Sequence, residues 1–193
     1  MTQNETASAG TEAAHWTAAR AASQSLPYCT ASRTARQVPA WIVSKAAADR
    51  SWPGVRSLLL ALGFSDPTPS CRALDWQGVD IVAGSYRFAW RNRAASYFGF
   101  QDVTVRLARP SGQPTEADKL QAGAVDFCLW TWIDAAGAVC QWLLLDAVRI
   151  VPLLAQAWPT TDMGDATFCA VPWAALAAGG AIVRCSDGVR AAL

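Results

Sequence analysis

The stretch Leu74 to Arg93, LDWQGVDIVAGSYRFAWRNR, gathers the residue types that metal-assisted chemistry on a phosphodiester needs. Asp75 and Asp80 flank the start of a short apolar run, Val79 to Val82, and Gly84 then turns the chain into an alternating run, Ser85 to Arg93. Period two in that run sets Tyr86, Phe88 and Trp90 on one face and Arg87, Ala89, Arg91 and Arg93 on the other. A carboxylate on the first strand and another on the second can hold Mg2+. A cation two residues beyond the second acid shares its face and offsets the charge that develops on phosphorus. On this reading Asp80 is the candidate metal ligand, Asp75 assists it, and Arg91 or Arg93 is the candidate catalytic cation. The competing reading makes Asp80 a strand-end cap or the ion-pair partner of a nearby Arg.

The same strand offers a second kind of chemistry. Arg87, Arg91 and Arg93, with Arg106 and Arg109 on a neighbouring strand, form a candidate nucleic-acid-binding face that would grip phosphates without reading sequence. The alternative is a solvated edge-strand face whose charge discourages aggregation. Charge is unevenly spread behind a net value of +1: five Arg against Asp102 between Arg87 and Arg109, then eight acids against Lys119, Arg149 and Arg184 from Glu116 to Asp187. That pattern accords with a local anion site rather than a globally basic coat. Trp130, Trp132 and Trp142 lie in otherwise apolar strands and read as core rather than as base-stacking platforms. Asp126 and Asp146, in or at the end of apolar strands, read as ion-paired or end-capping acids, with Arg149 near Asp146.

The elements that must position these residues follow from the rest of the chain. With 193 residues, 52% hydrophobic and 16% charged, one packed domain is expected. Residues 1–35, rich in Ala, Ser, Thr and Gln, read as a flexible N-terminal arm, and residues 36–193 as the domain. Two helices are expected, Ala40 to Asp49 and Val55 to Leu62, separated by Pro53-Gly54. Strands are expected at Val79 to Val82, Ser85 to Arg93, Asp102 to Leu107, Val125 to Ile133, Val139 to Asp146 and Ile182 to Cys185, with a hairpin turn at Ala135-Ala136-Gly137. Thr115 with Asp118 three residues on is a capping-box pattern that opens a short helix to Gln121. Ala147 to Trp158 and Trp173 to Ala178 read as helices. The sum is α/β or α+β, a central mixed sheet of about five strands flanked by helices.

Several function classes lose their footing. One His and six scattered Cys, with no C-x-x-C, argue against zinc, and the Cys read as buried small hydrophobes. There is no G-x-S-x-G and no Gly-rich phosphate loop. The first sixteen residues carry neither a basic nor an apolar block of a secretory signal, and no apolar run reaches the roughly 18 to 20 residues of a membrane span. A cytoplasmic protein without membrane contact is the expectation.

Asp75 and Gly78-Val79-Asp80, followed by a strand ending in a basic cluster, resemble the core of the PD-(D/E)XK nuclease-like superfamily, particularly small phage and mobile-element proteins. Downstream, QDVTVR (101–106), GAVDFCLW (123–130) and QWLLLD (141–146) resemble that family's later strands, so the likeness covers roughly residues 70 to 150. It implies a restriction-endonuclease-like fold and a Mg2+-dependent DNA phosphodiesterase. In one register Ala89 stands where the family carries Glu, Asp or Gln, with Arg91 at the family's Lys; in the other, Arg91 and Arg93 take those two positions. The second acid must then come from elsewhere, with Asp75, Asp102, Glu12 and Asp49 as candidates. Three readings follow: a DNA phosphodiesterase whose activity survives or has been lost, a non-catalytic module that binds nucleic acid or protein through its Arg face, and an accessory protein that meets a protein partner through exposed Trp.

Overall fold

The computed structural model describes residues 40–163 and 166–193. The expected arm, with His15 and Glu12, lies outside the described residues. The chain runs through α1 (Ala40–Ala61), β1 (Thr68–Pro69), α2 (Arg72–Trp76), β2 (Ile81–Ala83), β3 (Tyr86–Ala94), a 3-10 turn (Ala95–Phe100) and β4 (Asp102–Ala108). It continues with α3 (Glu116–Gln121), β5 (Phe127–Ile133), β6 (Val139–Asp146), α4 (Ala147–Leu154), β7 (Thr160–Asp162), β8 (Thr167–Pro172), α5 (Trp173–Ala178), β9 (Ile182–Cys185) and α6 (Asp187–Ala191).

Six strands form one mixed sheet in the order β1-β2-β3-β5-β6-β9, in which β3 and β5 run parallel and the other neighbours antiparallel. The α/β expectation therefore holds, with six strands rather than about five. A second sheet, β4-β8-β7, was not foreseen. β4 leaves the main sheet to pair with β8 from Asp102 opposite Pro172 to Ala108 opposite Thr167. β8 and β7 lie in a segment that the sequence reading left without strands.

Alternation in β3 places Phe88 and Trp90 against α1, in a cluster with Val55, Leu59, Ile81, Leu129 and Leu144. Ala89 falls in the opposite cluster, with Val103, Val105, Cys128, Trp130, Trp132, Leu143, Leu145, Val171 and Trp173, where both sheets and the shorter helices meet. Trp130, Trp132 and Trp173 are fully buried, and Trp142 is half-buried against the α1 side.

The two helices expected around Pro53 are one helix, α1, with Pro53 inside it. Tertiary contacts fix it there. Ser51, fully buried, donates to Ala47 O (3.0 Å) and accepts from Asn92 Nδ2 (2.8 Å). Thr131 donates to Asn92 Oδ1 and accepts from Trp90 Nε1 (3.0 Å), so a buried polar chain ties α1 to β3 and β5. Such a chain adds buried tertiary hydrogen bonds two residues from Pro53, which offset the helical bond that the proline removes.

The helix expected from Ala147 to Trp158 stops at Leu154, with Trp158 Nε1 folding back to donate to Leu153 O at 2.6 Å. The 135–137 hairpin is present, closed by Gly137 N to Asp134 O (3.1 Å) and Ala138 N to Asp134 Oδ1 (2.8 Å). Cys128 and Cys169 are core residues as expected, whereas Cys71 and Cys140 are exposed. No helix among the described residues is long and apolar enough to cross a membrane.

Candidate functional site

The site forms where the 75–80 turn, the C-terminal half of β3, β4 and the start of α3 converge. Gly78 makes the turn possible: its φ is +90°, and a Cβ there would meet Lys119 Cδ at 2.5 Å. The positive φ is what requires glycine; the Lys119 side chain would also have to shift. The turn delivers Asp80 to the edge of β3 just past the last β2 pair, Ile81 opposite Phe88. There Asp80 Oδ2 accepts from Trp90 N (2.7 Å) and from Arg91 Nη1 (3.0 Å). The carboxylate replaces the missing ladder partner of Trp90 and pairs with Arg91, which is the structural alternative recognised in the sequence.

Arg91 has a second acidic partner that sequence reasoning missed. Its Nε lies 2.8 Å from Glu116 Oε1. Glu116 is the first residue of α3, set by the expected capping box: Thr115 N donates to Asp118 Oδ2 (2.7 Å) and Asp118 N to Thr115 Oγ1 (3.3 Å). The side chain of Glu116 is 8% exposed, against 38% for Arg91 and 25% for Asp80. The missed signal is the i, i+4 relation of Glu116 to the buried Leu120, which puts both on the inward face of α3.

Burial pushes the Asp80 carboxyl above its ordinary value; Arg91 and the Trp90 N–H pull it back, while Asp75 and Glu116 push it further up. Glu116 raises the Arg91 guanidinium above its usual value, with Asp80 acting in the same direction against burial. Burial, with Glu116 second, raises the Cys128 thiol, so this buried sulfur is no nucleophile.

The remaining candidates separate. Asp75, on α2, is exposed. Asp102 accepts from Arg93 Nη1 at 2.9 Å, while Arg93 Nη2 donates to Thr104 Oγ1 at 2.8 Å. Asp49 pairs with Lys45 on the exposed side of α1. Ala89 is buried at 4%, beside Cys128 in the β3–β5 register. Asp126 takes Arg87, with Nη2 to Oδ1 at 3.2 Å, and Asp146 caps α4 through Val148 N (2.9 Å) and Arg149 N (3.3 Å). Both acids therefore act as the sequence suggested. The Trp side chains described are buried or half-buried, so no exposed Trp surface supports the protein-partner reading there.

The expected Arg face is thus not a bare cationic surface. Arg87, Arg91 and Arg93 are each neutralised by acids of the same domain. Arg106 and Arg109 differ: among the described residues neither guanidinium is ion-paired with a carboxylate, although Glu116 Oε2 accepts from Arg106 N at 3.5 Å. Arg109 sits at a loop with Nη1 donating to Gln113 Oε1 (3.3 Å). Arg106 lies over the Phe168 ring, 5.0 Å from Cζ to centroid, with its Nε buried and without a hydrogen-bond partner. It lines a pocket of about 340 Å3 with Arg91, Arg93, Thr104, Glu116, Trp130 and Phe168.

Arg91 occupies one oxygen of each carboxylate, Asp80 Oδ2 and Glu116 Oε1. A dication at those two oxygens would have to displace the guanidinium, and no cluster of three or more His, Cys, Asp or Glu suited to a metal occurs among the described residues. What the arrangement does provide is a polar pocket with one guanidinium held by a ring instead of by an acid. No protein-family model, curated protein or solved structure matches the chain.

Proposed function

We propose that this protein is a non-catalytic nucleic-acid-binding module, built on a PD-(D/E)XK-like plan, that grips a strand phosphate in the β4–α3 pocket. The observation that carries this reading is Arg106, whose guanidinium lies over the Phe168 ring and makes no side-chain ion pair among the described residues, with its Nε unpartnered. A ring beneath the guanidinium carbon favours the cation without using up its N–H donors, which an anion in the pocket could then take. The pocket, at about 340 Å3, is of a size to admit one phosphate and its adjoining nucleoside rather than a duplex. Arg93 and Thr104 line the same wall, and Arg109 extends the positive charge along the loop after β4. The net charge of +1 accords with such a local grip rather than with a long electrostatic track.

The test is fluorescence anisotropy of a 5′-phosphorylated single-stranded oligonucleotide across a salt series, with no divalent metal present. Arg106→Ala should weaken binding about tenfold or more and reduce the salt slope by about one. Arg87→Ala, which removes a cation already paired with Asp126, should change binding far less. Equal binding by wild type and Arg106→Ala would remove the pocket from consideration. A cleavage assay with Mg2+ or Mn2+ belongs beside it: metal-dependent cutting that is lost in Asp80→Ala would replace this proposal with the phosphodiesterase reading.

A further inference from the structure

Asp80 and Glu116 come from elements 36 positions apart in the chain, yet both reach the same guanidinium, at 3.0 Å from Asp80 Oδ2 and 2.8 Å from Glu116 Oε1. Two carboxylates gathered about one point in a partly dehydrated place disfavour each other's charge unless a cation accompanies them. Proteins commonly meet that need with a divalent ion. Here β3 supplies it from within the chain, because Arg91 shares a face with Ala89 and Arg93 and lies between the turn that carries Asp80 and the helix that carries Glu116. A guanidinium cannot give up its charge near neutral pH, so this neutralisation is permanent, unlike that of an exchangeable metal. The oxygen of Asp80 nearest Arg91 also accepts the Trp90 N–H, which anchors the acid to β3 independently of any ion.

We propose that the Arg91 guanidinium is the built-in cation of the Asp80–Glu116 pair, standing where the two carboxylates would otherwise hold a divalent metal, so that the site works without metal and becomes a divalent-cation site when Arg91 is removed. The inference does not rest on the nucleic-acid reading, since its probe is Mn2+ alone.

The experiment is a Mn2+ titration of the full chain read by electron paramagnetic resonance and by melting temperature, with no nucleic acid present. Wild type should leave the free Mn2+ signal undiminished and its melting temperature unmoved. Arg91→Met should take up one Mn2+ per chain and melt higher in its presence, and Arg91→Met with Glu116→Gln should lose both effects. Arg91→Lys, which keeps a cation on β3, should behave as wild type. Mn2+ bound by wild type and lost in Glu116→Gln would overturn the proposal, as would a folded Arg91→Met that takes up no Mn2+. Should Arg91→Met not fold unaided, the same titration is run during refolding: recovery with Mn2+ supports the proposal, and no recovery at millimolar Mn2+ overturns it.

Discussion

Asp80 has two opposed influences on its carboxyl, and the balance has a measurable consequence. Burial favours the neutral form, while Arg91 and the Trp90 N–H favour the charged one; the net effect raises the carboxyl above its ordinary value. A raised acid holds its proton more tightly in the folded than in the unfolded chain. Its contribution to stability is therefore fully present below the ordinary value and is lost as pH rises through the folded value. Other acids contribute their own slopes, so the informative quantity is a difference. Urea unfolding of wild type and Asp80→Asn at steps from acid to neutral pH should show the wild-type advantage shrinking as pH rises. An advantage that grows with pH would mean that ion pairing with Arg91 outweighs burial. Cys128 gives a simpler expectation at the same scale: with its thiol raised by burial, it should resist alkylation in the folded protein, while exposed Cys71 and Cys140 react.

The elements around the site depend on a few polar contacts more than on intrinsic propensity. Thr115→Ala removes the cap that opens α3 and should cost about 1 kcal/mol in urea unfolding. Because the cap also sets Glu116 at the first helical position, the Arg91 contact should loosen with it. Thr131→Val leaves Trp90 Nε1 and Asn92 Oδ1 without their partner between α1 and the sheet, and should cost about 1 to 3 kcal/mol. Short-range signals made much of this legible in the sequence: the alternation of β3, the capping box, the 135–137 turn and the terminal strand are local patterns of spacing and turn chemistry. The bend of β4 out of the main sheet was not legible, because Val103 and Val105 alternate in the same way whichever sheet they join. Pro53 inside α1 escaped for a related reason, since the hydrogen bond that ties this part of the helix to the sheet runs from Asn92, far along the chain, to Ser51. At the site, Asp80 and Arg91 stood out because ten residues of hairpin join them. Glu116 did not, because its meeting with Arg91 depends on the crossing from β3 through β4 to α3.

At the scale of the molecule, the two sheets share the apolar cluster on one face of the main sheet, while α1 covers the cluster on the other. Trp132 of the main sheet and Trp173, which follows β8 of the small sheet, meet edge to face with centroids 5.4 Å apart, and Phe98 of the 3-10 turn completes the contact at 5.6 and 5.3 Å. Trp173 N also donates to Gln101 O at 2.9 Å, so the aromatic joint sits where β4 begins and β8 ends. A joint of this kind makes the small sheet's stability inseparable from that of the main sheet. The pocket lies between β3 and β4, so its geometry depends on the same joint. Trp173→Ala should cost about 3 to 5 kcal/mol, the range for deleting a fully buried large aromatic. Urea unfolding followed by far-UV circular dichroism and by Trp fluorescence should give coincident transitions in wild type, and in Trp173→Ala both should move together to lower urea. Transitions that separate in the variant would show the small sheet melting first. In that case oligonucleotide binding should vanish in the earlier transition, because Thr104, Arg106 and Phe168 all belong to the small sheet while Arg91 and Arg93 remain on the main one.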